Sequence, residues 1–158
     1  MRIGVIGRTK TLIDSAHLLL QDGHEIAFIY TCKTENYYNY GVEDYEQVAK
    51  EINVPFYCDL AINKNLQELS CHGADICISL NWMTLLNDDL FNLFPHGVLN
   101  AHGGDLPRYR GNACINWAIL NKEKESCMTI HRMTPELDAG PVYLKRFFPL
   151  TEDTYVGD

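Results

Sequence analysis

Asn100, His102 and Asp138 are the residues whose types and spacing could perform chemistry. The first two are separated by a single residue, and the third lies in a later segment that reads Glu-Leu-Asp-Ala-Gly-Pro over positions 136–141. An asparagine amide can stabilise a developing oxyanion, a histidine can accept a proton near neutral pH, and an aspartate can orient a histidine and stabilise its positive charge. Together these residue types are suited to the transfer of an acyl group.

A strand is needed to position the first two of these residues. The apolar run 97–99 before Asn100 is typical of the end of a buried strand, and ligands bind at the carboxyl ends of strands in open α/β sheets. Side chains two residues apart on a strand lie on the same side, about 6–7 Å apart. Asn100 and His102 can therefore reach one small group, and Gly103 and Gly104 allow another molecule to approach the backbone closely. Each residue alone is more typical of an ordinary turn or loop residue, so the prediction depends on the combination.

The rest of the chain alternates short apolar runs with amphipathic stretches, which predicts alternating strands and helices. The expected strands are 2–7, 25–31, 54–58, 75–80, the run before Asn100, 126–133 and 142–148. The expected helices follow Lys10, surround positions 45–52, cover 63–70 and 88–94, and run from an Asn112 cap to Asn121. This order predicts an α/β fold with a Rossmann-like, mainly parallel sheet and an antiparallel C-terminal extension.

Composition limits the classes of protein to consider. The chain has 158 residues, 46% of them apolar, which is enough for one domain with a real core, and we expect residues 1–158 to form that single domain. The formal net charge of −8 argues against a nucleic-acid partner. The N-terminal run 1–7 is too short to be a signal peptide, and no apolar stretch approaches the ~20 residues of a membrane span, so we expect no membrane partner and a cytoplasmic location. The six cysteines are scattered singly, and we expect no metal site.

The joint motif resembles the folate-dependent formyltransferases. It consists of Asn-x-His at 100–102, Gly-x-x-Leu-Pro-x-x-x-Gly at 103–111 and Leu-Asp-x-Gly at 137–140. Within that family the chain looks most similar to the nucleotide-linked amino-sugar N-formyltransferases around 107–111, 116–117 and 129–133. One departure is Gly104-Asp105, where family members commonly have Ser-Leu.

The resemblance implies a fold, a reaction and a set of site residues. The fold would be the formyltransferase fold, and the chain would be an enzyme that moves a formyl group from 10-formyltetrahydrofolate to the primary amine of a nucleotide-linked amino sugar. Carried over by position, Asn100, His102 and Asp138 are the catalytic residues. The residues implied to bind the folate are Trp82, Met83, Leu85 and Leu137, and those implied to bind the acceptor are Arg8, Lys10, Gly103 and Arg110.

Other interpretations remain open at this point. The acceptor could be glycinamide ribonucleotide, or water as in formyltetrahydrofolate deformylase, and the chain could be a folate- or nucleotide-binding module without turnover. The expected partners are a small amine acceptor and, as an assembly, a second copy of the chain in a homodimer. Thr151–Thr154 looks like the start of a helix with few residues after it, so we expect the C-terminal end of the domain to be incomplete.

Overall fold

The computed structural model describes residues 1–34 and 40–155. The chain divides into two compact units, Met1–Leu99 and Asn100–Asp158, which are described separately below. Strand β5 (Val98–His102) begins in the first unit and ends in the second.

The first unit alternates strands with helices. Its elements are β1 (Arg2–Gly7), α1 (Lys10–Gln21), β2 (Glu25–Thr31), α2 (Val42–Glu51), β3 (Phe56–Cys58), a 3₁₀ turn (Ile62–Lys64), α3 (Leu66–Ser70), β4 (Ile76–Leu80) and α4 (Asp88–Asn92). The strand order is β3-β2-β1-β4, and the pairs β1/β2, β1/β4 and β2/β3 are all parallel. The predicted α/β class with a mainly parallel sheet is therefore confirmed.

The core of the first unit lies between these strands and the first two helices. Val5 and Ile6 of β1 point to opposite faces of the sheet and both are buried, as expected for parallel strands that are covered on both faces. Helix α1 is capped by Thr9, whose hydroxyl accepts a hydrogen bond from the Leu12 amide at 3.3 Å. The Tyr45 hydroxyl of α2 donates to the Thr9 carbonyl at 2.8 Å, so the cap joins both helices.

The second unit contains the end of β5, helix α5 (Cys114–Leu120), β6 (Glu125–Arg132) and β7 (Val142–Pro149). Its strand order is β5-β6-β7, and β6 and β7 are antiparallel. Alternate residues of β6, namely Cys127, Thr129 and His131, are buried. This unit is the predicted antiparallel C-terminal extension.

Three local predictions were wrong. Helix α5 is not capped by Asn112, because Ala113 occupies the cap position with a left-handed φ of 56° and no side-chain cap is made. Strand β3 begins only after Pro55, which lacks the amide hydrogen that a strand ladder needs. Residues Thr151–Thr154 form a turn, because the Thr154 hydroxyl accepts from the Thr151 amide at 2.8 Å and so competes with helix formation.

Two expectations concern the chain as a whole. That residues 1–158 form a single catalytic domain stays a prediction. Among the residues that the structure describes, no helix has both the length and the apolar character to cross a membrane.

Gly7→Ala should strongly destabilise the first unit. A Cβ at Gly7 would lie 2.2 Å from the Leu80 carbonyl oxygen and 2.6 Å from Leu12 Cδ2, and the residue has a φ of +155°. Overpacking and backbone strain together should lower the free energy of unfolding by about 3 kcal/mol or more, measured by urea denaturation.

Gly23→Ala is the matched control for this substitution. Gly23 also has a positive φ, +83°, but no described atom lies within 4 Å of its Cβ position. Only backbone strain should remain, which costs about 1–2 kcal/mol. Equal losses in the two variants would contradict the argument that the contact with Leu80 constrains Gly7.

Candidate active site

The two segments that carry the candidate catalytic residues are joined within the second unit. The Gly111 amide donates a hydrogen bond to Asp138 Oδ2 at 2.8 Å. Next to it, Arg110 Nη1 donates to Glu136 Oε1 at 2.9 Å. The loop that follows β5 and the loop between β6 and β7 are therefore held together by two adjacent residues, Arg110 and Gly111.

Backbone conformation explains why the second loop needs its glycine. Asp138 has a left-handed φ of 49°, and a Cβ at Gly140 would lie 1.8 Å from the Arg132 carbonyl oxygen. The Arg132 amide donates to the Pro141 carbonyl at 2.9 Å, which closes the base of the loop. Only glycine fits at position 140, and the tight loop turns the Asp138 carboxylate inward.

His102 and Asp138 form a buried ion-pair contact. His102 Nδ1 lies 3.6 Å from Asp138 Oδ2, and the two side chains are only 8% and 7% exposed. That distance is longer than a hydrogen bond, but it is short enough for strong attraction between charges in a buried site. On the other side of the ring, His102 Nε2 donates to the Tyr109 carbonyl at 2.7 Å. Both ring nitrogens of His102 therefore face acceptors, a carboxylate at Nδ1 and a carbonyl at Nε2.

Asn100 is half-buried and contacts a second histidine. Its Nδ2 lies 3.3 Å from His131 Nε2, and His131 Nε2 lies 3.6 Å from Asp138 Oδ1. The rings of His102 and His131 are perpendicular, with centroids 6.1 Å apart. The structure thus brings all three candidate catalytic residues together and adds His131 to them.

His131 was not identified as a site residue from the sequence. The available signal was its position in β6, where polar Thr129 and His131 occupy alternate positions of one buried face. Two buried polar side chains in a row on one face need partners. Thr129 finds one in the Gly104 carbonyl, to which its hydroxyl donates at 2.6 Å.

Cys114 lies against the other side of His102. Its Sγ is 3.5 Å from His102 Nε2 and donates weakly to the Tyr109 and Gly111 carbonyls at 3.4 and 3.3 Å. Burial, and then the negative charge of Asp138, raise the pKa of the Cys114 thiol. The sulfur therefore stays protonated and acts as a packing group and weak donor, not as a nucleophile.

The departure at Gly104-Asp105 has a structural reason for each residue. A Cβ at Gly104 would lie 2.7 Å from His102 Nε2 and 2.6 Å from the Tyr109 carbonyl oxygen, so glycine leaves the room that this hydrogen bond occupies. The carboxylate of Asp105 accepts from Lys145 Nζ at 2.7 Å, and both side chains are about one-third exposed. The charged residue thus connects the loop after β5 to β7.

The predicted binding residues of the second unit line the joined loops. Leu137 is half-exposed and stands next to Asp138. At Gly103 there is little room for a side chain, since a Cβ there would lie 3.2 Å from Ile115 Cδ1. Arg110 is 40% exposed and paired with the more exposed Glu136.

The predicted folate-binding residues of the first unit follow β4. Trp82 is held by a hydrogen bond from its Nε1 to Thr84 Oγ1 at 2.9 Å and by an edge-on contact with Tyr30. Met83 and Leu85 are exposed, by 48% and 72%. Apolar surface on this segment is therefore open to solvent.

Two of the three cations predicted to bind the acceptor, Arg8 and Lys10, belong to the first unit. Arg8 is buried, and its Nε donates to the Asn81 carbonyl at 3.0 Å. Lys10 is exposed, and its Nζ lies 2.8 Å from both carboxylate oxygens of Asp14 one helical turn away. Arg8 is thus fixed in place, whereas Lys10 is bound only by a surface ion pair, which is weak.

A cavity of about 380 Å³ lies in the second unit, and its lining residues include Gly104, Arg108, Cys127 and Phe147. Neither the three candidate catalytic residues nor the predicted binding residues line it, so we do not assign it to the reaction. Within residues 1–34 and 40–155, no group of three or more His, Cys, Asp or Glu side chains is placed to hold a metal ion.

Solved structures of similar fold include a phosphoribosylglycinamide formyltransferase, a glycinamide ribonucleotide transformylase and a formyltetrahydrofolate deformylase. Phosphoribosylglycinamide formyltransferase from Bacillus halodurans is 18% identical, with a TM-score of 0.81 over 98% of this chain and 83% of that one. Glycinamide ribonucleotide transformylase 1 from Symbiobacterium toebii is 21% identical, with a TM-score of 0.79 over 98% and 76%. A formyltetrahydrofolate deformylase from Pseudomonas syringae pv. tomato is 22% identical, with a TM-score of 0.80 over 99% and 53%. At these identities the similarity shows the shared fold.

The sequence also matches a family model. The model described as formyl transferase covers residues 1–157, almost the whole chain. This match confirms the predicted family, the predicted enzyme class and the predicted formyl donor, 10-formyltetrahydrofolate. The match does not show which acceptor the enzyme uses, and it therefore does not test the predicted amino-sugar acceptor. The chain belongs to the formyl transferase family.

Proposed function

We propose that this enzyme transfers the formyl group of 10-formyltetrahydrofolate to the primary amine of a small acceptor, with Asn100, His102 and Asp138 as its catalytic residues. The observation that carries the proposal is the buried carboxylate of Asp138, 3.6 Å from His102 Nδ1, with the opposite ring nitrogen bonded to the Tyr109 carbonyl. In this proposal His102 provides the positive charge that the intermediate of acyl transfer needs, and Asp138 compensates that charge.

The proposed reaction conserves atoms and charge. The acceptor amine attacks the formyl carbon, which forms the new carbon–nitrogen bond and places a negative charge on the formyl oxygen. The bond from that carbon to the donor nitrogen then breaks, and the proton lost by the acceptor amine ends on the released donor nitrogen. The products are a formamide and tetrahydrofolate.

Each catalytic residue has a distinct part in this scheme. Asn100 donates an amide hydrogen to the developing oxyanion, and the imidazolium of His102 stabilises the same charge. Asp138 stabilises the imidazolium and is itself held by the Gly111 amide. Because both ring nitrogens of His102 face protein groups, we propose that His102 acts through its positive charge. The proton lost by the acceptor amine then moves through water.

Folate and acceptor binding are proposed for separate residues. Trp82, Met83, Leu85 and Leu137 offer apolar surface for the pterin, and three of them are large and exposed. Arg8, Lys10, Gly103 and Arg110 are proposed for the acceptor. An anionic acceptor group would compete with Glu136 for Arg110, because that ion pair is exposed to solvent.

Glycinamide ribonucleotide is the first acceptor we propose, and it replaces the amino sugar as the leading candidate. Support comes from the two solved structures named for that substrate. A nucleotide-linked amino sugar is supported by the motifs at 107–111 and 129–133, and water by the similar deformylase structure. A cytoplasmic location and a homodimeric assembly are also part of the proposal.

An acceptor panel tests the reaction. The full chain is incubated with 10-formyltetrahydrofolate and, separately, with glycinamide ribonucleotide, a set of nucleotide-linked amino sugars, or no amine. We expect formylated glycinamide ribonucleotide by mass spectrometry, in an amount equal to the tetrahydrofolate released. A formylated amino sugar would identify the other acceptor, and free formate without amine would identify a deformylase. Folate binding without any of these products would leave a binding module and overturn the proposal.

His102→Ala should reduce kcat by about 10²- to 10⁴-fold because it removes the charged group beside the reacting carbon. Binding of 5-formyltetrahydrofolate, measured by calorimetry, should change little, since His102 is not among the residues proposed for the pterin. The control is His96→Ala, which removes an exposed histidine and should leave both quantities unchanged. Full turnover in the His102 variant would contradict its assigned role.

A further inference from the structure

His131 is a buried histidine with a defined partner at each ring nitrogen. Only 1% of its side chain is exposed. Nδ1 lies 3.1 Å from the Arg132 carbonyl oxygen, and Nε2 lies 3.3 Å from Asn100 Nδ2. The charged or titratable groups that face it in the second unit are Asp138, 3.6 Å from Nε2, and His102, whose ring is perpendicular to it.

These partners determine where the proton of His131 resides. A carbonyl oxygen can only accept, so Nδ1 must carry a hydrogen and donate it to the Arg132 carbonyl. Burial lowers the pKa of His131 from its usual range, so the ring stays neutral and carries that one hydrogen. Nε2 therefore presents a lone pair, and the Asn100 atom next to it must be the NH₂ group, which donates.

We infer that His131 is a positioning residue that fixes the orientation of the Asn100 amide, and this inference rests on the proposed function. The amide of asparagine has two ends, one that donates and one that accepts. With Nε2 of His131 accepting one of the two Nδ2 hydrogens, the second hydrogen is available for the oxyanion. If the amide rotated by half a turn, it would present its own oxygen to the negative charge and oppose the reaction.

The lone pair on His131 Nε2 also gives the two histidines different roles. Since Nε2 of His131 carries no hydrogen, it cannot donate to Asp138 Oδ1 across the 3.6 Å that separates them. The carboxylate of Asp138 therefore remains committed to the Gly111 amide and to His102. His131 thus orients the neutral donor without competing for the carboxylate that supports the charged one.

Two conservative variants separate this role from simple packing. In His131→Gln the side-chain oxygen can reach the place of Nε2 and accept from Asn100, whereas in His131→Asn the amide reaches only the place of Nδ1 and can serve the Arg132 carbonyl. We expect His131→Gln to keep kcat within about threefold of wild type. His131→Asn should lower kcat by about 10- to 100-fold, less than the loss expected for a missing oxyanion donor. KM for both substrates should change by less than about threefold in each variant.

A double-mutant cycle identifies Asn100 as the partner. In an Asn100→Ala background, His131→Asn should cost no more than about twofold in kcat, because the amide that it positions is absent. An undiminished loss in that background, or better activity in His131→Asn than in His131→Gln, would overturn the inference while leaving the proposed function intact.

The positions of the hydrogens on His131 can also be measured directly on the wild-type chain, without an activity assay or a variant. Long-range ¹H–¹⁵N correlation spectra report the hydrogen on each imidazole nitrogen, and we expect a neutral His131 with its hydrogen on Nδ1 at pH 7.5. A hydrogen on Nε2, or a charged ring, would overturn the inference. If the wild type transferred no formyl group to any acceptor, the proposed function would fail, and this spectrum would still test the lone pair on His131 Nε2 that the orientation of Asn100 requires.

Discussion

The buried carboxylate of Asp138 is the constraint on which the site depends. A carboxylate with 7% exposure is costly unless its charge is compensated by hydrogen bonds or opposite charge. Here the Gly111 amide donates to it at 2.8 Å, and the imidazole of His102 stands 3.6 Å away. Satisfying that one group requires the loop after β5 to meet the loop between β6 and β7. The arrangement of both loops thus follows from the need to compensate a single charge.

The glycines of the site follow from the same requirement. Gly140 allows the second loop to pack against the Arg132 carbonyl, where a Cβ would have only 1.8 Å of space. Gly104 does the same beside His102, so that the ring can bond to the Tyr109 carbonyl. In both places the glycine permits backbone to approach closely, and that approach brings charged and polar groups within reach of one another.

Part of this architecture could be predicted from the sequence. The strands of the first unit are near-continuous apolar runs, and the pairing of Asn100 with His102 follows from the two-residue period of a strand. The wrong or missing predictions have two causes. At some positions the backbone conformation decides against the expected side-chain cap, and at others the contacts join residues that are not neighbours in the sequence. Ala113 replaced Asn112 as the cap of α5, and His131 acquired its partners from residues 31 and 7 positions away, Asn100 and Asp138. No local pattern encodes those contacts.

The two histidines of the site illustrate how environment assigns different chemistry to identical side chains. His102 has a carbonyl at one ring nitrogen and a carboxylate at the other, so both of its neighbours are hydrogen-bond acceptors. His131 has a carbonyl at one ring nitrogen and the Asn100 amide donor at the other, so the second nitrogen must accept a hydrogen bond. Asp138 lies at the same 3.6 Å from both rings, and distance to the carboxylate therefore cannot distinguish them. Two features distinguish them: burial lowers the pKa of His131, and the Asn100 amide donates to the Nε2 lone pair that the neutral ring presents. The carboxylate of Asp138 is then left to His102 and the Gly111 amide.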